Sequence, residues 1–329
     1  MHSSKFLTGS LAAIAAVAVM AGGIAGDALA QKFPSKPITV IVPWSPGGGS
    51  DRSMRLVAET ATKYFGVSVI VVNKPGAGGA NGTRAIASAK ADGYTLGMVG
   101  AGVVARQYNN PNANPLSDLI PITFFGADPA ALSARADTGF KSVADFVKAA
   151  KAKPGSIKNG NDQPGGSSYV AIAIMEGKLG VKTTRVPYKG YAPTVAALLS
   201  GEVQTATVPV PDAIEHHKAG KIRILGVAAT QRHFVAPDVK TFKEQGFGVV
   251  AGSWRTIVAP AGVPADRVKI LEAKLLQTLK DPKLVKRANN AGFFVTPMGS
   301  QETAAYWASY DKAVYPVLSS AGLVKYRKK

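Results

Sequence analysis

Apolar runs of strand length alternate along this chain with stretches whose apolar positions recur every three or four residues. Such alternation predicts parallel sheets covered by helices, because a strand buried on both faces reads as an unbroken apolar run and a covering helix as a stripe. Strands are predicted at 38–44, 67–72, 94–99, 156–161, 183–187, 203–208 and 222–229. Helices are predicted from Ser50 or Asp51, at 82–90, from Ser142, at 168–177, 193–200 and 212–219, from Pro264 to Asp281 and at 300–319, the last kinked near Pro316. Ser142 with Asp145 three residues on reads as a capping pair, and Val143, Phe146, Val147 and Ala150 form the stripe behind it. Gly201 and Gly220 stand just past their helices as caps.

Two extended segments interrupt this rhythm, 120–135 with Pro121 and Pro129 opposing helix, and 253–259. Read as outward and return crossings, they divide the chain into a first domain of 31–123 joined to 251–329 and a second of 124–250. The N-terminus carries Lys5, an apolar run from Leu11 to Met20 and Ala28-Leu29-Ala30 before Gln31, the pattern of a cleavable secretory signal over 1–30 and too short an apolar run to span a bilayer. Its removal leaves 299 of 329 residues, enough for two cores.

The strand at 38–44 runs into Ser45-Pro46-Gly47-Gly48-Gly49 and then a helix. Glycines let the backbone approach a guest, and the first N–H groups of a helix lack internal partners, so the turn is a cradle for an anion. Pro164-Gly165-Gly166-Ser167-Ser168-Tyr169 is a second cradle, and Pro187-Tyr188-Lys189-Gly190-Tyr191-Ala192-Pro193 a third. Cradles one and two fall in different domains, so closing the domains would bring two helix ends onto one guest in the cleft between them.

A formal charge of +19 favours anionic partners. An exported chain without Lys/Arg blocks interleaved with aromatics does not read as a nucleic-acid binder. The absence of cysteine excludes disulfides, thiolate metal sites and a cysteine nucleophile. There is no Walker A sequence, no complete dinucleotide fingerprint and no Gly-x-Ser-x-Gly elbow. His216, His217 and His233 lack the spacing of a metal site, and no paired carboxylates suggest acid–base work. No catalytic residue, metal or cofactor is assigned.

These residues carry a family resemblance. Phe33-Pro34-Ser35-Lys36-Pro37-Ile38-Thr39, the first cradle, Asn73-Lys74-Pro75-Gly76-Ala77-Gly78-Gly79, Asp92-Gly93-Tyr94-Thr95-Leu96, Val186-Pro187-Tyr188-Lys189-Gly190, Lys218-Ala219-Gly220-Lys221-Ile222-Arg223 and Ala259-Pro260-Ala261-Gly262-Val263-Pro264 occur in the order seen in Bug-type receptors. The chain thus resembles the solute-binding receptors of tripartite tricarboxylate transporters over nearly all of its mature length. The resemblance implies a two-lobed α/β fold of the type II-like periplasmic-binding-protein kind. It further implies a periplasmic monomer that closes on a small carboxylate and delivers it to a permease of one large and one small membrane subunit.

Family binding roles carry over to Ser45, Gly48, Gly49, Ser50 and Asp51, to Gly166, Ser167 and Tyr169, and to Tyr188 and Gly190. Trp44 and Ser168 join the candidates by position. Arg106, after the strand at 94–99, either reaches the cleft or is solvated in a polar loop; Lys189 is poised between the same options. Arg255 lies within an apolar crossing strand, where a protein acid or a ligand carboxylate should face it. Asp51 reads as a helix cap more than a direct contact. Val208 and Pro209 stand where many relatives have Asp and Asn, which takes away a partner for a ligand ammonium and favours non-amino carboxylates, aromatic acids included. The alternatives are an enzyme for a small anionic substrate, a decarboxylase or isomerase using Tyr169, Tyr188 or Lys189, and a ligand-presenting sensor without transport.

Overall fold

The computed structural model describes residues 33–320 and 322–327. Residues 33–35 belong to a first contact unit of the chain, and Lys36–Lys329 forms one compact unit. The predicted signal at 1–30 lies outside the described residues. No helix among the described residues is long and apolar enough to cross a membrane.

The chain opens with β1 (Ile38–Val42), α1 (Gly49–Phe65), β2 (Val69–Asn73), α2 (Ala80–Ala87), β3 (Thr95–Gly100) and α3 (Ala101–Asn109). Then comes β4 (Leu119–Arg135), a 17-residue strand. The next units are α4 (Val143–Ala152), β5 (Lys158–Asp162), α5 (Ser167–Leu179), β6 (Thr184–Tyr188), α6 (Tyr191–Ser200), β7 (Thr205–Pro209), α7 (Val210–Lys218) and β8 (Ile222–Val227). The chain ends with β9 (Gly252–Pro260), α8 (Ala265–Leu279), α9 (Pro282–Asn290) and α10 (Ser300–Ser320).

The strands lie in the order β2-β1-β3-β9-β4-β7-β5-β6, with β8 also on β4. The first stretch of β4, from Leu119 to Pro129, pairs with β9; the rest, from Ala130, pairs with β7 and β8. One strand therefore belongs to both halves of the sheet. The boundary read at residue 123 falls inside it, and that at 251 falls just before β9.

The sheet is mixed, which corrects the mainly parallel expectation. β1 is parallel to β2 and β3, and β5 to β6 and β7. The crossing strands reverse this: β9 runs antiparallel to β3 and β4, and β4 antiparallel to β7 and β8. A return crossing retraces the outward one in the opposite sense, so these two ladders are antiparallel wherever they meet.

Local signals account for most helix ends. Asp145 N–H donates to Ser142 Oγ at 3.2 Å, as the capping pair predicts. Gly201 ends α6 in the left-handed region at φ 86°. Two helices fall outside the expected set. The stretch after β3 is α3, with every residue from Ala101 to Tyr108 buried. Asp281, expected only to end α8, also caps α9, accepting from Lys283 N–H at 2.8 Å. Pro316 lies inside α10, which continues past it.

Candidate ligand-binding site

The first two cradles share one backbone. Gly47 and Gly165 both have φ of 83°. The caps that follow, Gly48 at φ −74°, ψ 165° and Gly166 at φ −69°, ψ 162°, are extended and without a side-chain cap. Each helix thus presents bare N–H groups, and each set is met by a carboxylate of the protein.

At α1, the Gly49 N–H donates to Asp212 Oδ1 at 2.6 Å. Asp51, expected to cap the helix, instead braces the turn before it: Oδ2 accepts from Gly47 N–H at 3.0 Å and Arg55 Nε–H at 3.0 Å, and Oδ1 accepts from Asn73 at 2.9 Å. Burial works against its charge, but Arg55, the Gly47 amide and Asn73 hold its pKa below the ordinary value. Ser50 is buried beside it. Cradles one and three touch directly. Ser45 Oγ donates to the Lys189 carbonyl at 3.1 Å, and Trp44 lies against Gly190, whose φ of 123° favours glycine. The Lys189 residue itself is exposed.

At α5 the acid is local. Asp162, at the end of β5, accepts from Tyr169 N–H at 2.9 Å, while its own N–H donates to Ser168 Oγ at 2.8 Å. A side chain at Gly166 would overlap the Asp162 carboxylate. Arg106 faces this acid from α3 and is buried, not solvated in a loop. Its Nη1–H donates to Ala77 O at 3.0 Å, its guanidinium fills the place a Cβ on Gly78 would take, and Nε and Nη2 have no partner. Burial lowers the Arg106 pKa to about 10 against the pull of Asp162, and burial raises that of Asp162.

Ser167 Oγ accepts from Gly102 N–H at 3.0 Å, joining the starts of α3 and α5, and from Ser253 Oγ at 3.4 Å. Tyr191, at the start of α6, is buried beside Ser167, Ser253 and Arg255, and burial raises its pKa. Two expected contacts are engaged elsewhere. The Tyr169 ring carries the Arg185 guanidinium at 4.9 Å. The Tyr188 ring packs by Gly160, and burial with Glu202 nearby pushes its hydroxyl up to about 12.

Arg255 is fully buried and paired with Asp128, with its guanidinium 4.9 Å from the centre of the Phe293 ring. Burial opposes its charge, but Asp128 and Asp212 raise its pKa. Its Nε and Nη2 lack partners, as does Asp212 Oδ2. A Cβ placed on Gly49 would lie 2.5 Å from Asp212 Oδ2 and 3.0 Å from Arg255 Nη2, so both groups converge on the α1 opening. Arg52 Nη2 is 3.6 Å from Asp212 Oδ1. Along this seam Arg52, Arg106 and Arg255 face Asp128, Asp162 and Asp212, three positive charges against three negative.

A chamber of about 670 Å³ adjoins the seam through Ser167 and Ser253 and runs along α5 and α10, walled by Val170, Ile174, Trp254, Tyr306 and Tyr310. A smaller one of about 240 Å³ lies beside Gly47, Arg52, Asp212 and His216.

The sequence reading finds Arg255 and the cradles but not Gly102, Asp128, Asp162, Tyr191, Asp212 or Ser253. Asp162 had a local signal, an acid just before a glycine run. Val208 and Pro209 leave the end of β7 without an acid, and Asp212 stands a few residues on, in the first turn of α7.

Layered helices on a mixed sheet, with glycine-opened helix ends converging on a buried charged seam, define the periplasmic-binding-protein fold. Residues 53–323 match the model of the tripartite tricarboxylate transporter family receptor, and the chain belongs to that family. BugT of Bordetella pertussis is 30% identical over 84% of this chain and 86% of its own. The solved structure of the periplasmic binding protein BugD has a TM-score of 0.84 at 27% identity, covering 89% of this chain and 99% of that one. The structure of Rpa4515 of R. palustris with adipate has a TM-score of 0.83 at 26% identity, covering 88% and 98%.

Proposed function

We propose that this receptor, exported after loss of residues 1–30, acts as a monomer that takes up a small carboxylate between the α1, α5 and α6 openings. It hands that cargo, chemically unchanged, to a permease of one large and one small membrane subunit. The observation that carries the reading is Arg255: a fully buried guanidinium with two nitrogens unpaired, aimed at the opening of α1 and close to the Tyr191 hydroxyl. Asp128 meets the charge of Arg255, but the buried, unpaired Nε and Nη2 donors of that arginine are costly unless an acceptor reaches them, and a guanidinium suits a carboxylate's planar pair of oxygens. The adipate held by Rpa4515 supports the same ligand class. The chamber behind Ser167 and Ser253 gives an apolar or aromatic body room beyond the carboxylate.

The lobes in this proposal are the two halves of the sheet that β4 joins, and closure around cargo is the signal the permease reads. A thermal-shift screen of adipate, malate, benzoate and their amides tests it. The acids should raise the melting temperature by mass action and the amides should not. Equal shifts with acid and amide, or conversion of a bound acid to product, would defeat the proposal.

A further inference from the structure

The α1 opening already holds a carboxylate. Asp212 comes from α7, at the start of the element after β7, and reaches the Gly49 amide across 163 residues of sequence. It sits where an incoming carboxylate would meet that amide together with Arg255 Nη2. We infer that Asp212 is a resident substitute for the cargo carboxylate: it latches α7 to α1 in the unloaded receptor and leaves the Gly49 amide when cargo enters. The inference rests on the carboxylate-receptor reading above and specifies how that site is kept when empty and what it must release.

Charge balance supports displacement over simple addition. Arg52 and Arg255 are met by Asp128 and Asp212, so this end of the seam is neutral as it stands. A further anion would leave a net negative charge out of water, which is costly. Sending Asp212 outward as cargo enters restores the balance. Arg52 stays behind to face the cargo: its Nη2, 3.6 Å from the Asp212 carboxylate, is also held by the Pro211 carbonyl at 2.7 Å. The small chamber beside Gly47, Arg52 and His216 provides the space. Asp212 is also poorly satisfied where it is, for Oδ2 has no hydrogen-bond partner and burial raises its pKa. A group held this way can be exchanged at modest cost.

The consequence is a gain of function on removing a buried residue, which a merely structural role does not produce. Full-length mature protein and the variants Asp212→Asn and Asp212→Ala would be titrated with adipate, malate and benzoate by calorimetry, with circular dichroism to confirm the fold. Losing a competitor that makes one charge-assisted hydrogen bond should tighten binding roughly tenfold or more in both variants. Binding that appears only in the variants supports the latch equally. Where the wild type binds and the variants bind equally or more weakly, the latch is refuted and the receptor reading stands. A wild type that prefers glutamate and loses it on Asp212→Asn also refutes it, because Asp212 would then be an ammonium contact. Wild type and variants alike blind to every acid would overturn the carboxylate reading itself, and the latch with it.

Discussion

The openings of α1 and α5 are two copies of one local design that differ in where their carboxylate comes from. Both have a glycine at φ 83° followed by an extended glycine cap, and in both an acid accepts from a first-turn amide. At α5 the acid is Asp162, four residues before the cap, and the contact serves one helix. At α1 it is Asp212, on the far half of the sheet, and the contact ties two distant elements together. The same interaction is local in one place and long-range in the other, and sequence separation decides how much of the fold each one ties together. Breaking the α5 contact frays a helix end; breaking the α1 contact lets α7 part from α1.

The largest expected effect separates the two supporting arginines. Arg255→Met strands Asp128 and Asp212 in the interior and should cost about 3–5 kcal/mol, on the order of 10 °C in melting temperature. Arg106→Met should cost clearly less, because it strands one acid, Asp162, and not two, and the Arg106 hydrogen bond goes to Ala77 O and not to that acid. Equal losses in calorimetric melts would mean the two ends are supported alike, against the comparison.

A middle effect probes the caps. Gly166→Ala drives a methyl into the Asp162 carboxylate and should cost about 1–3 kcal/mol. Gly48→Ala meets nothing nearer than the Ala192 nitrogen at 3.5 Å and should change stability by no more than about 0.5 kcal/mol. If urea titrations rank them the other way, the acid at α5 is not seated as described.

The smallest effect divides the paired serines. Ser168→Ala removes the acceptor of the Asp162 N–H and should lower stability by about 1 kcal/mol without touching cargo affinity. Ser167→Ala unties Gly102 and Ser253 and should weaken cargo binding a few-fold. Affinity lost through Ser168 alone would reverse these assignments.

Much of the architecture is written in the local sequence. Apolar runs bounded by turns mark β1, β3, β7 and β8, and Ser142, Gly201 and Pro264 mark helix ends. The exceptions have physical causes. α3 is buried from Ala101 to Tyr108, its polar Arg106 and Gln107 included, so it shows no apolar stripe against a polar face to betray it. The direction of β9 is fixed by the path back along β4, which no window around residue 255 contains. The site divides the same way. Glycine openings are local and visible, and a charge within an apolar strand, Arg255, announces a partner. Which acid answers is decided by folding: Asp212 meets Gly49 only because α7 and α1 come to the same end of a sheet whose strands they do not share.

β4 deserves a mechanical reading. It is one strand of 17 residues with a ladder to β9 along its first part and ladders to β7 and β8 along its last, and its register slips near Pro121–Thr123, Phe124–Gly126 and Leu132–Ser133. A strand hydrogen-bonded along both flanks ties the two halves of the sheet through its ladders and not through a free loop. Any relative motion of the two halves would have to bend or break these ladders, and the offsets are where interrupted pairing opposes it least.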